Sequence, residues 1–325
     1  MSFNILISSA GRRVTLLCLF REALKGLGLD GRVLAVDCSR TSPAFHIADA
    51  AFEVPRCNDS HFIPRMREIC QSEQVNLVVP TIDTELPVYA GNCRLFEEIG
   101  VRLSVSSLET VAIGSDKVLT NRWLQGNGFE TVRQWSGPEQ KAEVAAFPVI
   151  VKPRFGSASI GVSQANDREE LQILVRKMKD PVIEEKACGD EYTVNLLVGR
   201  DGLVLSAVPH RRLEVRSGEV SKGVTTKDPR LLDLAKRLGE SLPGAFGALN
   251  FQCILDRDGA FRIFEINPRF GGGYPLAHQA GADFPRWLIE EVLGLTSTAS
   301  FAGWEDGLAM LRYDDAVFVR REAID

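Results

Sequence analysis

Short apolar runs alternate with helix-spaced apolar positions through the first hundred residues. The runs are residues 3–7 (Phe-Asn-Ile-Leu-Ile), 32–36, 75–79 and 101–105, and each reads as a strand buried on both faces. Between them, residues 14–24, 62–72 and 85–99 carry apolar side chains at the spacing of a helix that covers a core. Strand and helix in alternation predict a parallel sheet with helices on both sides.

From residue 113 the pattern changes. Residues 115–125 predict a capped helix, and 147–153 a strongly apolar strand ending in Lys152-Pro153. A loop of small residues, 154–161, follows, and Val162 resumes a strand. Residues 167–178 predict a helix with Asp167 as N-cap, and 182–186 another strand. Segments 192–198 and 203–208 predict a hairpin about Gly199-Arg-Asp-Gly202; 248–256 and 260–266 predict a second about Arg257-Asp-Gly259. Helices are predicted over 231–242 and 285–293. This half reads as α+β and mostly antiparallel.

A chain of 325 residues has room for two or three packed units. Its net charge of −5 counts against a general nucleic-acid binder. The seven cysteines show no Cys-x-x-Cys spacing, which counts against zinc and thioredoxin-like chemistry, and their odd number fits reduced thiols in the cytoplasm. The sequence opens directly on a strand, without the pattern of a signal peptide, and no apolar run is long enough to span a bilayer. Neither nucleic acid nor membrane is expected as a partner.

The segment richest in chemistry is Phe264-Glu-Ile-Asn-Pro-Arg269. Glu265 and Asn267, two apart in a strand, point to the same face, and Gln252 on the preceding strand can reach it. Oxygen donors of this kind suit Mg²⁺ held between protein and nucleotide phosphates. Arg269 is placed to neutralise a phosphoryl group in transfer. The same residues also fit a plain strand end stopped by Pro268. Lys152 precedes Gly156-Ser-Ala-Ser-Ile-Gly161, and a lysine beside a small-residue loop suits phosphate oxygens. A hairpin loop with a snorkelling lysine is the plainer account. No Gly-Lys-Ser/Thr closes this loop, so it is not a P-loop. Lys117 at a helix start opposes the helix dipole, a cost that makes sense where a phosphate is held; an ordinary exposed lysine is the alternative.

In Glu184-Glu-Lys-Ala-Cys-Gly-Asp-Glu191 a strand enters a glycine turn. Its alternating backbone groups can read an adenine edge, and a nearby carboxylate can take ribose hydroxyls; a charged sheet edge fits equally. Arg12, Arg13, Asp83 and Glu85 sit at the carboxyl ends of predicted strands, where open parallel sheets bind ligands. The Gly-x-Gly-x-x-Gly fingerprint is absent, which discounts NAD. Lys222 lies in a predicted glycine-flanked loop that faces either substrate or solvent.

The order of these segments resembles the ATP-grasp superfamily over nearly the whole chain, and within it the carbamoyl-phosphate-synthetase-like branch, which the run Asn267-Pro-Arg-Phe-Gly-Gly-Gly273 also suggests. The resemblance implies an N-terminal parallel α/β (Rossmann-like) pre-ATP-grasp domain over residues 1–112. A two-lobed α+β ATP-grasp domain would follow, with lobe A over 113–186 and lobe B, bearing the metal site, over 187–325. It implies ATP and Mg²⁺ (or Mn²⁺) as cofactors. Lys117 and Lys152 would hold phosphates under the loop of Gly156, Ser157, Ser159 and Gly161. Glu185, Lys186 and Ala187 would line the adenine, and Glu191 the ribose. Gln252, Glu265 and Asn267 would bind the metal, and Arg269 with Lys152 would act on the γ-phosphoryl group. Arg12, Arg13, Asp83, Glu85 and Lys222 are the candidate substrate contacts. The implied chemistry is activation of a small carboxylate as an acyl phosphate for attack by an amine or thiol, with release of ADP and phosphate. A phosphotransferase and a non-catalytic ATP-binding regulator on the same fold remain as alternatives, and family analogy suggests a homodimer. The loop carries Ser157, Ala158 and Ser159 where some members have more glycine. The sequence shows no glutaminase, duplicated synthetase half, allosteric domain or biotin-carboxylase extension, so synthesis of carbamoyl phosphate is not expected.

Overall fold

The computed structural model describes residues 2–136, 144, 146–156 and 159–324. Five strands form a parallel sheet: β1 (Asn4–Ser8), β2 (Val33–Asp37), β3 (Ala51–Glu53), β4 (Val75–Pro80) and β5 (Arg102–Leu103), in the order β3-β2-β1-β4-β5. Every residue of β1 and β2 is buried, as unbroken apolar strands require when helices cover both faces. The strand order reverses between β1 and β4, so a crevice opens beyond their carboxyl ends. The single helix predicted over 85–99 is instead two, Leu86–Ala90 and Cys93–Glu97, parted at Gly91 and Asn92.

A second, four-stranded antiparallel sheet contains β6 (Gln134–Ser136), β7 (Val149–Pro153), β8 (Ser163–Ala165) and β9 (Pro181–Glu185), in the order β6-β9-β7-β8. The helix Arg168–Lys177 covers it, capped as predicted by Asp167, whose Oδ1 accepts from the Glu170 N–H at 2.9 Å. The third sheet is antiparallel and six-stranded: β10 (Gly189–Val198), β11 (Val204–Arg216), β12 (Glu219–Thr225), β13 (Gly247–Asp256), β14 (Phe261–Asn267) and β15 (Ala309–Leu311), in the order β14-β13-β10-β11-β12-β15. Two expectations are corrected here. β11 continues well past residue 208, and the segment read as a glycine-flanked loop around Lys222 is strand β12. Glycine at 223 is compatible with a strand because a Cβ there would crowd the Arg211 carbonyl at 3.1 Å.

The cores explain how the cleft is built. One face of the six-stranded sheet packs Leu196 and Phe251 on Leu231, Leu234 and Leu238 of the helix Pro229–Ser241. Its other face gives Leu197, Val208 and Ala248 to the core of the parallel sheet, with Phe20, Tyr274, Phe284 and Trp287. The parallel and six-stranded sheets therefore share one core. The four-stranded sheet has its own small core of Trp135, Val149, Val151, Ala165, Leu171 and Ile183. Among the described residues no helix is long and apolar enough to cross a membrane, and all seven cysteines are free thiols.

Gly31 tests the seating of β1 against β2. A Cβ at this position would lie 2.1 Å from the Phe3 carbonyl oxygen. Gly31→Ala is expected to destabilise the fold by about 1–3 kcal/mol through overpacking, read as a lower urea midpoint with an unchanged slope.

Candidate active site

A cleft of about 520 Å³ lies where the four-stranded sheet, the six-stranded sheet and the crevice beyond β1 and β4 meet. Its walls include Arg13, Asp83, Lys117, Lys152, Gly156, Ser159, Glu185, Lys186, Ala187, Glu191, Gln252, Glu265, Asn267 and Arg269, all singled out in the sequence. Ser157 lies outside the described residues.

The β13–β14 register sets the centre of the cleft. Gln252 stands opposite Glu265, and Asn250 opposite Asn267. The next pair is Cys253 with Ile263, so Phe264 is the extra residue of a bulge. The bulge turns Phe264 and Glu265 both toward the cleft, whereas strict alternation would send one of them to the opposite face. Six carboxylates line the cleft, and five already hold a donor: Asp83, Glu184, Glu185, Glu191 and Glu219. No hydrogen bond or ion pair engages Glu265 among the described residues. An unpaired carboxylate flanked by the amide oxygens of Gln252 and Asn267 is an all-oxygen donor set that fits a hard dication. No group of three or more His, Cys, Asp or Glu with metal-holding geometry occurs among the described residues. The set is therefore incomplete without further oxygens, as from phosphates.

Two lysines approach from the other wall. Lys152 Nζ sits 2.7 Å from Glu184 Oε2, both side chains 7% exposed, and 5.7 Å from the centre of the Phe264 ring. Gln134 Nε2 donates to the second Glu184 oxygen at 3.0 Å. Lys117 begins the helix Lys117–Gly126, two residues later than the predicted start, and Asp116 is its N-cap. Its Nζ donates to the Gly156 carbonyl at 2.7 Å, tying helix to loop. Burial and, next, the charge of Lys152 push the Lys117 ammonium below its ordinary range, with Glu265 and Glu184 opposing. Two cations held this close favour a ligand of high negative charge.

At the far end of β9, the Glu185 N–H donates to the Arg133 carbonyl at 2.9 Å and its carboxylate accepts from the Arg133 N–H at 2.7 Å. Lys186 Nζ donates to Gln164 Oε1 at 2.7 Å, and Ala187 lines the cleft before β10 begins. Glu191 accepts from Arg212 Nη1 at 2.6 Å, and the same nitrogen bonds Gln252 Oε1. Burial raises the Glu191 carboxyl, with Arg212 opposing.

Arg269 joins the crevice of the parallel sheet to the end of β14. Its Nε and Nη2 each donate to a separate Asp83 oxygen at 2.7 Å, and Nη2 also reaches Asn267 Oδ1 at 3.3 Å. Burial works against the Arg269 charge, but Asp83 prevails and holds its pKa above the ordinary value. Arg13 lies beyond, 3.3 Å from Glu219, which also takes Arg312 at 3.2 Å. Glycine at 272 leaves room for that carboxylate, since a Cβ there would stand 2.5 Å from its carbon.

Four sequence candidates are not brought to the wall. Arg12 is exposed. Lys222 points away on β12 and pairs with Glu214 at 2.6 Å. Gly161 backs the loop, where a Cβ would meet the Pro153 ring at 3.1 Å. Glu85 is fully buried beneath the crevice, accepting from Ser8 Oγ at 2.6 Å, Ser9 Oγ at 2.8 Å and the Thr81 N–H at 2.7 Å. It braces the ends of β1 and β4 from below. Residues that sequence reasoning missed are Glu184, Arg212, Glu219, Asn250 and Phe264. Asn250 carried a usable signal, two residues before Gln252 on one strand. Phe264 did not, because only the bulge turns it inward.

His210, fully buried on β11, has no partner for Nε2 among the described residues. Burial, then Arg212, pushes its imidazole from 6.5 down to about 3. The unfolded chain therefore takes up a proton below pH 6.5 that the folded protein refuses, and stability falls as pH drops toward 3. About 1.5 kcal/mol of loss between pH 6.5 and 5 should come from this group and vanish in His210→Gln, measured by urea titration at both pH values. Asp83→Ala leaves Arg269 unpaired in a largely buried site. It should cost about 2 kcal/mol by the same method, because partial exposure lowers the penalty for a fully buried ion.

Residues 5–104 match the family described as PylC-like, N-terminal domain, and residues 177–316 the family described as ATP-grasp in the biosynthetic pathway with Ter operon. The carbamoyl phosphate synthase large chain of Thermotoga neapolitana is 24% identical over 326 residues, covering 88% of this chain but 29% of that protein. The chain thus spans less than a third of that relative's length. The D-alanine–D-alanine ligase of Alcanivorax borkumensis is 36% identical over 218 residues, 61% of this chain and 70% of that protein. The biotin carboxylase domain of the 2-oxoglutarate carboxylase of Hydrogenobacter thermophilus, solved as a dimer with MgADP, ADP and bicarbonate, shares the fold. The TM-score is 0.75 at 16% identity, over 95% of this chain and 74% of that one. The parallel crevice domain, the clasp of two antiparallel sheets and these relatives agree: the chain belongs to the ATP-grasp superfamily.

Proposed function

We propose that the protein is an ATP- and Mg²⁺-dependent ligase that joins a small carboxylate to an amine (or thiol) and releases ADP and phosphate. The observation that carries this reading is the convergence of Lys117, Lys152, Glu265, Gln252, Asn267 and Arg269 on one cleft. Its relatives include a D-alanine–D-alanine ligase, and the Hydrogenobacter neighbour was solved in complex with MgADP, ADP and bicarbonate.

In this reading residues near 1–112 form the crevice domain, 113–186 the upper lobe and 187–325 the lobe with the metal strands. Adenine lies against Phe264 and the Glu185–Ala187 backbone, with Glu191 toward the ribose. Lys117, Lys152 and the Gly156–Gly161 loop hold phosphates. Gln252, Glu265 and Asn267 would hold Mg²⁺ (or Mn²⁺), which when bound supplies Lewis-acid neutralisation of phosphate oxygens. The substrate carboxylate oxygen attacks the γ-phosphorus, ADP leaves, and the acyl phosphate forms. Lys152 and Arg269 balance the charge that spreads over the transferring group. The amine then attacks the acyl carbon, and phosphate departs with the C–O bond electrons. Closing the upper lobe over the site would keep water from the acyl phosphate.

Arg13 and Asp83 are the substrate contacts we retain. Asp83 orients Arg269 through two hydrogen bonds, and Arg13 lines the same end of the cleft. The seven free thiols suit a reducing compartment such as the cytoplasm. A homodimer is proposed by analogy with the dimeric neighbour.

The test is ³¹P NMR of the protein with Mg-ATP and pooled carboxylic acids and amino acids. ADP and free phosphate should grow only with both substrate classes present. AMP and pyrophosphate, or a new stable phosphorylated product, would overturn the ligase reading. Glu265→Ala should lower ADP formation at least a thousandfold while the circular dichroism and melting transition persist; unchanged turnover in the folded variant would sink the metal assignment.

A further inference from the structure

The end of the cleft at Arg13 carries more positive charge than the mechanism above uses. Arg269 is taken by Asp83 through two hydrogen bonds of 2.7 Å, and that pair serves the transferring phosphoryl group. Beside it a single carboxylate, Glu219, collects three further arginines. Arg13 Nη1 lies 3.3 Å from Glu219 Oε1, and Arg312 Nη1 lies 3.2 Å from Oε2. Arg12 is exposed and off the wall, yet its charge acts on both Arg13 and Glu219. With the Arg269–Asp83 pair left out, three guanidiniums against one carboxylate leave two positive charges.

The excess acts on the groups themselves. Burial, and with it the charges of Arg269, Arg312 and Arg12, push the Arg13 guanidinium below its ordinary range against the pull of Glu219. Burial also works against the Glu219 charge, but Arg13, then Arg312 and Arg12, prevail and hold its carboxyl below the ordinary range. Glu219 is thus ionised, with an arginine on each oxygen, and it cannot balance all of them. Like charges crowded together in a partly buried site are unfavourable until an anion joins them. The helix Val14–Gly26 adds to the field: it starts at Arg13 with no side-chain cap and no acidic residue in its first turn. The cluster is also held in place. Glycine at 272 lets Glu219 close on the loop backbone, and Gly271, Gly272 and Gly273 all line the cleft here.

Resting on the ligase reading, we propose that the carboxylate substrate carries a second anionic group, a carboxylate or a phosphate, which Arg13 receives with Arg312 behind it, while Arg269 attends the carboxylate that is activated. The substrate is a small dianion that spans from the γ-phosphoryl group to Arg13. Arg13 binds it directly; Arg312 acts through Glu219, and Arg12 adds attraction from the solvent side.

The experiment finds the activated carboxylate without knowing the amine. Hydroxylamine takes the place of the amine: its nitrogen attacks the acyl carbon, phosphate leaves with the C–O bond electrons, and a hydroxamate forms. The protein and Mg-ATP are given three pools at equal concentration. The first holds monocarboxylic acids and neutral amino acids, the second dicarboxylic acids and acidic amino acids, the third phosphorylated carboxylic acids. Hydroxamate and ADP should form about tenfold faster, or more, with the second or third pool than with the first. Which of those two responds tells carboxylate from phosphate. Equal or faster turnover of the monocarboxylate pool would overturn the proposal and leave the ligase reading intact. With the active compound, Arg13→Met should raise KM about tenfold while kcat moves less than about threefold, because the contact is made before and during transfer alike. Arg312→Gln changes an exposed side chain and should raise KM about threefold, so it decides if Arg13→Met fails to fold. An ion pair that only joins the parallel sheet to β12 would leave KM unchanged in both folded variants, and that result would overturn the proposal. No ADP from any pool, in protein that binds a non-hydrolysable ATP analogue, would sink the ligase reading itself.

Discussion

The cleft is hung on the antiparallel register of β13 and β14. Pairing Gln252 with Glu265 and Asn250 with Asn267 brings four polar side chains onto one face of two neighbouring strands. A slip of one residue would exchange every one of them for its buried neighbours, among them Phe251, Cys253 and Ile266. The bulge at Phe264 adds an apolar wall beside Gln252, Glu265 and Asn267 without disturbing that register on either side. Register is fixed because the opposite face of both strands is locked into the core around Leu234 and Leu238.

Charge in the cleft is arranged in pairs across element boundaries. Lys152 with Glu184 joins two strands of the small sheet, Arg212 with Glu191 two strands of the large one. Arg269 with Asp83 joins β14 to the parallel sheet, and Arg13 with Glu219 joins that sheet to β12. Buried pairs of this kind add little net stability, because desolvation offsets most of the attraction. Their effect is to hold cations in place before a ligand arrives, which lowers the reorganisation needed when a triphosphate does. Glu265 stands outside this scheme, since no hydrogen bond or ion pair engages it among the described residues.

The division of the cores bears on motion. A floor made of two sheets with a common core resists relative displacement, while a roof with its own small core can move as a body. The helix Lys117–Gly126 packs Leu124 into the core of the six-stranded sheet, and polar contacts tie its start to the four-stranded sheet and its loop: Lys117 to the Gly156 carbonyl and Arg154 to Asp116 at 2.8 Å. Such contacts can be exchanged for ligand contacts at modest cost.

The sequence by itself determined the order of elements and most of the chemistry. Unbroken apolar runs marked the parallel strands, the i, i+2 pair Glu265 and Asn267 marked a shared face, and the spacing of motifs marked the family. These signals are local, and each rests on a period of two or 3.6 residues. Some elements escaped: β3, β6 and β15 because three residues carry too little periodicity to be read, and β12 because its flanking glycines read as a loop. What only the tertiary structure decided was which polar groups meet. Glu85 looked like a ligand and is a buried brace, because the serines that bind it lie some seventy-five residues away in sequence. Lys222 looked like a substrate contact and is a strand residue facing Glu214. Arg212 looked like nothing, because its meaning lies in Glu191 and Gln252, on two other strands. Local pattern fixes which way a side chain leaves its own strand; its partners depend on packing between segments distant in sequence.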